Sequence, residues 1–149
     1  ISVQNARKFI EKYYESYPEI KEYLNSLVAN CEKNGYVKTI MNRIRYVPEI
    51  HDNNYNMREF GKRVAMNSPI QGTAADIIKK AMIDVDKLLT ENKFNTKMIL
   101  QIHDELIFEV PVDELMIVIP MLVEKMEKAI EMKVPLKVEY DYGTNWYDC

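Results

Sequence analysis

The chain has 149 residues, of which 47% are apolar and 29% are charged, and its formal net charge at pH 7 is −3. This length is typical of one compact domain, and this composition excludes an intrinsically disordered chain. No stretch approaches the roughly 18 apolar residues of a membrane-spanning helix, and the first residues lack the features of a signal peptide. The chain does not begin with Met, so we expect it to be a piece of a longer protein.

Two cysteines, Cys31 and Cys149, are too few for a disulfide framework and lack the spacing of metal ligands. This favours a reduced, cytoplasmic setting.

The first part of the chain is predicted to form two consecutive helices and then an irregular segment. Apolar residues recur at helical spacing over residues 3–17, and Pro18 suits the first turn of a second helix that ends at Asn34-Gly35. The tyrosines of these helices share the apolar stripe, so we interpret them as core residues. Residues 36–56 contain several breakers and are expected to be irregular or weakly extended.

A broken pair of helices is predicted next. One helix should run from Arg58 to Asn67, and Ser68-Pro69 should interrupt it because a residue before proline is disfavoured in helical dihedrals. From Ala74 to Leu89 the apolar residues again follow the 3.6-residue period.

The last third is predicted to begin with a β-hairpin over residues 97–111, because two short runs rich in β-branched residues flank a polar tip. A helix should follow at about 113–132, in which Pro120 marks a kink or the true start. A final strand is expected from Leu136 to Tyr142. Three strands among about five helices predict an α+β fold, with helices packed on a small antiparallel sheet.

Basic residues concentrate in one segment, although the chain as a whole is acidic. From Val37 to Arg63 there are six basic and three acidic residues, and four of the five arginines of the chain lie there. Arginine is well suited to phosphate and base-edge contacts. The segment is therefore a candidate nucleic-acid-binding stripe, although a solvated charged surface explains the same pattern.

Three polar residues, His103, Asp104 and Glu105, occupy the predicted hairpin tip. Packed strands would hold the backbone while the turn exposes the carboxylates, which are the ligands that Mg²⁺ prefers. Neighbouring side chains diverge, so a complete metal site needs another carboxylate. The alternative is that the triplet is simply a polar turn, since acidic residues are common there.

Three separated stretches resemble family A DNA polymerases in the same order along the chain. Residues 101–110 (QIHDELIFEV) look like motif C of that family, and residues 63–79 (RVAMNSPIQGTAADIIK) resemble its helices along the primer-template groove. Residues 36–50, with the run RIRYVPEI, resemble the segment that enters this groove. Ile44 departs from the family, which commonly has Arg there, and Pro120 is also unexpected.

The resemblance implies template-directed DNA synthesis by two-metal catalysis, with primer-template DNA and deoxynucleoside triphosphates as partners. It implies that Asp104 binds both Mg²⁺ ions and that Glu105 supports it. The implied DNA-contacting residues are Arg43, Arg45, Arg63, Asn67, Gln71 and His103.

The resemblance also predicts that residues 1–149 form the C-terminal part of the palm and begin just after the fingers. The family's other metal-binding Asp would then lie outside the chain, so the isolated chain is predicted to be inactive. A palm sheet cut open in this way would favour self-association. The full protein would be cytoplasmic and associated with the nucleoid, without membrane contact.

Other functions remain open at this point. A non-catalytic nucleic-acid-binding module would explain the arginines but not the exposed acids, and a purely structural helical domain would not explain the alignment of Arg63, Asn67 and Gln71. A single-subunit RNA polymerase shares the same broad palm, but the QGTAAD run and the His-Asp-Glu triplet look more like the DNA enzyme.

Overall fold

The computed structural model describes residues 1–148, so Cys149 lies outside the described residues. Four α-helices and four strands follow one another with two short 3₁₀ turns: α1 (Val3–Ser16), α2 (Pro18–Asn34), β1 (Tyr36–Lys38), β2 (Ile44–Tyr46), the turn Pro48–His51, α3 (Tyr55–Glu91), β3 (Lys97–Ile102), β4 (Glu105–Glu109), α4 (Leu115–Glu127) and the turn Trp146–Asp148. The chain divides into two compact units, residues 1–73 and the residues from Ala74 onward.

The first unit has its core where α2, the β1–β2 ladder and the first part of α3 meet. The two strands are antiparallel, with Val37 opposite Arg45. The prediction that residues 36–56 are irregular or weakly extended is confirmed, because the segment contains two three-residue strands and one 3₁₀ turn. The buried apolar residues of this core are Cys31, Val37, Val47, Ile50 and Ala65.

The start of the chain differs from the expected core. Helices α1 and α2 form where predicted, with Ser2 capping α1 and Gly35 ending α2 in the left-handed conformation. However, the predicted burial of the tyrosines is wrong, since Tyr13 is 48% and Tyr23 52% exposed. In the described part of the chain α1 has no buried residue, so its apolar stripe remains largely exposed to solvent.

Helix α3 is continuous over 37 residues, and the predicted interruption at Ser68-Pro69 is wrong. Proline removes one helical hydrogen bond and restricts the residue before it. Both Ser68 and Pro69 are buried, so tertiary packing offsets this local cost.

The second unit is a β-hairpin packed with the end of α3 and with α4. Strands β3 and β4 are antiparallel, as predicted. Met98 and Phe108 contact a core of helical residues: Val85, Leu88, Leu89, Val118 and Leu122. The α+β class is confirmed, but the strands form two separate two-stranded ladders.

Two predictions for the last third are corrected. Helix α4 continues through Pro120 and ends at Glu127, earlier than residue 132. The expected strand from Leu136 to Tyr142 is not formed. Instead, the Val138 backbone N–H donates to Glu127 Oε1 at 3.2 Å, and Lys137 Nζ lies 3.4 Å from the same oxygen. Among the described helices, none is long and apolar enough to span a bilayer.

Candidate metal site and nucleic-acid interface

The hairpin tip presents the predicted acidic residues to solvent. His103 and Asp104 form the turn, and Glu105 is the first residue of β4, opposite Ile102. His103 has φ 51°, an uncommon conformation for a residue with a side chain. Gln101 Nε2 donates to the His103 carbonyl oxygen at 2.5 Å. This bond fixes the backbone directly before Asp104.

A β-bulge lies in β3 on the way to the tip. Met98 pairs with Phe108 and Leu100 with Ile107, so Ile99 is an extra residue without its own partner. Bulges bend and twist a strand and re-aim the side chains that follow. Ile99 and Leu100 are exposed, which shows that the inward and outward alternation of β3 changes at this point.

The base of the hairpin is held by Glu114, just before α4. Its carboxylate accepts from the Asn95 N–H at 2.8 Å, the Thr96 N–H at 2.9 Å and the Thr96 hydroxyl at 2.7 Å. These hydrogen bonds lower the pKa of Glu114 below its ordinary value, and the bond from the Asn95 N–H has the largest effect. Desolvation of the carboxylate raises the pKa, but by less. Thr96 is buried, so Glu114 anchors the start of β3.

The tip alone does not form a complete metal site. Within residues 1–148 no group of three or more His, Cys, Asp or Glu side chains is placed to hold a metal ion. Asp104 and Glu105 are exposed and supply oxygen donors, which is the ligand chemistry of Mg²⁺. They fit a shared site that draws further ligands from another segment or from a substrate.

One face of α3 carries the three predicted polar residues. Arg63, Asn67 and Gln71 are spaced four apart on the uninterrupted helix, and all three are exposed. Their alignment, expected from the helical period, is therefore preserved across Pro69. The Arg63 guanidinium lies 5.9 Å from the centre of the Phe60 ring.

The segment between β1 and β2 meets α3 beside Gln71. A small cleft of about 90 Å³ is lined by Arg43, Arg45 and Gln71, together with Thr39, Ile44, Ser68 and Gly72. The structure thus brings three predicted DNA-contacting residues together here. It places His103, Asp104 and Glu105 together at the hairpin tip, in the other unit.

The basic segment is partly used for contacts within the protein. Lys62 Nζ lies 2.7 Å from Glu59 Oε1, which lowers the pKa of Glu59 and raises that of Lys62. Arg58 donates to the Asp52 carbonyl oxygen at 2.9 Å. These bonds leave a narrower basic surface than the sequence suggested.

Comparison with known proteins identifies the family. A sequence model described as DNA polymerase family A matches residues 1–148. The chain belongs to this family. It is 49% identical to DNA polymerase I of Bacillus caldotenax and 47% identical to that of Bacillus subtilis, each over 148 residues. These matches cover 99% of the chain but 17% of each relative, so the chain spans about a sixth of their length.

A solved structure of the family has the same fold. The chain is similar to the POL domain of Pol1 from M. smegmatis, in complex with DNA primer-template and dNTP, with a TM-score of 0.95 and 40% identity. The match covers 98% of this chain and 26% of that one.

Several residues that shape these sites were not found from the sequence. Glu114 gave no signal, because its bonding partners lie 18 and 19 residues away. Gly72 did carry a signal in the sequence, because a glycine within a helix often marks a place where another segment approaches closely. A Cβ on Gly72 would lie 2.6 Å from Thr39 Cγ2, which shows that α3 and the segment before β2 touch there.

Proposed function

We propose that this chain is the C-terminal palm portion of a DNA polymerase I-like enzyme and takes part in template-directed DNA synthesis. The observation that carries the proposal is the exposed Asp104-Glu105 pair on an anchored hairpin, in a chain that belongs to family A throughout its described length. The relatives are about six times longer, so the activity would belong to a larger protein of which this chain is a region.

Asp104 would hold Mg²⁺, with Glu105 as a supporting carboxylate and a further acidic ligand from outside this sequence. When bound, the ions would lower the pKa of the primer 3′-hydroxyl and neutralise the charge that develops on the triphosphate. The protein's own part is to hold Asp104 in place. Glu114 secures the base of the hairpin and Gln101 secures the backbone of its tip, so the carboxylate need not be ordered when the substrate arrives.

The α3 face would contact the DNA minor groove near the primer terminus. Purine N3 and pyrimidine O2 are acceptors that all Watson–Crick pairs present there, and Arg63, Asn67 and Gln71 are donors. A row of donors on one helix face can therefore test pair geometry without reading the sequence. Arg45 and His103 would add contacts to the primer-template. The similar structure, a complex with DNA primer-template and dNTP, supports DNA and nucleotide as the partners.

The isolated chain is predicted not to extend primers, because the Asp104-Glu105 pair lacks its further carboxylate. A non-catalytic DNA-binding module is the competing function. Primer-template binding and extension, each measured with Mg²⁺ and with a chelator, separate the two. A simple binder would lose affinity with salt and be indifferent to chelation. The polymerase role requires extension by the longer protein that stops on chelation, and Mg²⁺-dependent extension by these 149 residues alone would contradict the shared metal site.

A further inference from the structure

Arg43 differs from the other candidate DNA-contacting arginines because its guanidinium bonds to α3. Its Nη2 donates to the Gly72 carbonyl oxygen at 2.9 Å, across 29 residues of sequence. We propose that Arg43 is a positioning residue: it holds the Thr39–Arg43 turn against α3 and thereby fixes Gln71, and it does not itself contact DNA. This inference rests on the proposed function, since it assigns a role within the same surface.

The turn that carries Arg43 is closed by its own hydrogen bonds. The Thr39 N–H donates to the Arg43 carbonyl at 3.0 Å, the Asn42 N–H donates to the Thr39 carbonyl at 2.9 Å, and the Arg43 N–H donates to Thr39 Oγ1 at 3.1 Å. Asn42 has φ 63°, a conformation that asparagine tolerates better than most residues. These hydrogen bonds make the turn rigid, so a contact that fixes the position of Arg43 also fixes the position of Thr39.

Two further contacts attach this turn to the helix directly after Gln71. The Ile40 N–H donates to Thr73 Oγ1 at 3.1 Å. At Gly72 the approach is so close that an added Cβ would meet Thr39 Cγ2. The turn thus contacts two consecutive residues of α3, Gly72 and Thr73, and the neighbouring Gln71 lies at the edge of this contact.

Arg43 and Gln71 also line the same cleft. Loss of the Arg43 side chain would remove one wall of the cleft and free the Thr39–Arg43 turn, so Gln71 would sample more conformations. The bond from Nη2 to the Gly72 carbonyl sets the direction of the Arg43 guanidinium toward α3. Arg45, on the neighbouring strand and in the same cleft, is the matched arginine for a direct contact.

The test uses the longer polymerase that contains this chain, with primer-template affinity as the readout. Arg43→Ala, Gln71→Ala and the double variant form one cycle, and Arg45→Ala with Gln71→Ala forms the control cycle. If Arg43 acts through Gln71, adding Arg43→Ala to Gln71→Ala changes Kd less than about twofold. If the two residues make independent contacts, the fold-changes in Kd of the two single variants multiply in the double variant. The salt dependence of log K should also be unchanged, because a lost phosphate contact would lower its slope by about 0.9.

Thr73→Val keeps the test valid if Arg43→Ala fails to fold. It removes the Oγ1 that accepts from Ile40 without changing charge, and it should show the same lack of additivity with Gln71→Ala. Effects of Arg43→Ala that multiply with Gln71→Ala and lower the salt slope would overturn the positioning role and leave the proposed function standing. If Gln71→Ala and Arg45→Ala both leave Kd unchanged, this cleft does not bind DNA and the positioning role fails, whereas the proposed function is decided separately by primer extension with the Asp104→Asn variant.

Discussion

Replacing Gly72 with Ala tests whether the Thr39–Arg43 turn lies against α3. The new Cβ would be 2.6 Å from Thr39 Cγ2, whereas carbon atoms pack best at about 3.5–4.0 Å, so either the Thr39 side chain or the helix must shift by about 1 Å. Alanine gains up to about 1 kcal/mol over glycine inside a helix, but overpacking costs about 1–3 kcal/mol. Because the cost of overpacking exceeds the gain in helix propensity, we expect a net fall of about 1 kcal/mol in the free energy of unfolding.

A second substitution should reverse the sign of this effect. Thr39→Ser deletes Cγ2 but keeps the Oγ1 that accepts from the Arg43 N–H. The next nearest atoms to the added Cβ are Arg43 Nη2 at 3.5 Å and Thr39 Cβ at 4.0 Å, which are ordinary contacts. In the Thr39→Ser background, Gly72→Ala should therefore stabilise by about 1 kcal/mol, a coupling of about 2 kcal/mol between the two positions.

Urea unfolding of the parent, the two single variants and the double variant, followed by far-UV circular dichroism, measures this coupling. The differences in stability are read from the unfolding midpoints, with the same dependence of the free energy of unfolding on urea concentration in all four proteins. The slope must stay constant, because a changed slope would indicate an altered denatured state. If Gly72→Ala stabilises by the same amount in both backgrounds, the turn does not contact α3 at this residue. The reasoning behind the cleft and behind the role of Arg43 would then be refuted.

Two further predictions concern other contacts of the fold. Gly61→Ala should lower the free energy of unfolding by about 2 kcal/mol, because the added Cβ would lie 2.7 Å from the Ile50 backbone nitrogen. No side-chain truncation can relieve a contact with backbone. If urea unfolding shows the variant to be as stable as the parent, this prediction is contradicted. Glu114→Gln should lower the thermal midpoint at pH 7, because an amide cannot accept all three bonds. The pKa of Glu114 is lowered in the folded protein, so the carboxylate's stabilisation is complete above its unfolded pKa and is lost as the pH falls through the folded pKa. Melting curves from pH 7 to pH 3 should thus show the parent and variant converging in acid, and a difference that does not change with pH would be the contrary result.

The elements that could be predicted from the sequence are those whose own residues determine them. Helix α2 has proline in its first turn and Gly35 at its end, and the β3–β4 hairpin has two apolar runs around a polar tip. The alignment of Arg63, Asn67 and Gln71 likewise follows from helical spacing. These features depend on neighbours within a few residues, which the sequence displays.

The features that could not be predicted depend on residues distant in sequence. Pro69 alone indicates an interruption, and only the burial of Ser68 and Pro69 by tertiary packing explains why α3 continues. Residues 136–142 have the composition of a strand, but in the described chain Val138 bonds to Glu127 on α4. The anchoring of β3 by Glu114 joins positions 18 and 19 residues apart, which no local pattern reveals.

The central claim is that Asp104 is a metal-binding carboxylate of a DNA polymerase. The most direct test is Mg²⁺-dependent primer extension by the longer protein that we propose contains this chain, compared with its Asp104→Asn variant. Glu109→Gln, an exposed acid at the other end of the same hairpin, is the matched control. We predict that Asp104→Asn loses several orders of magnitude in extension rate while it retains primer-template binding, and that Glu109→Gln extends normally. Extension by Asp104→Asn at nearly the parental rate would contradict the account and leave the triplet as a polar turn.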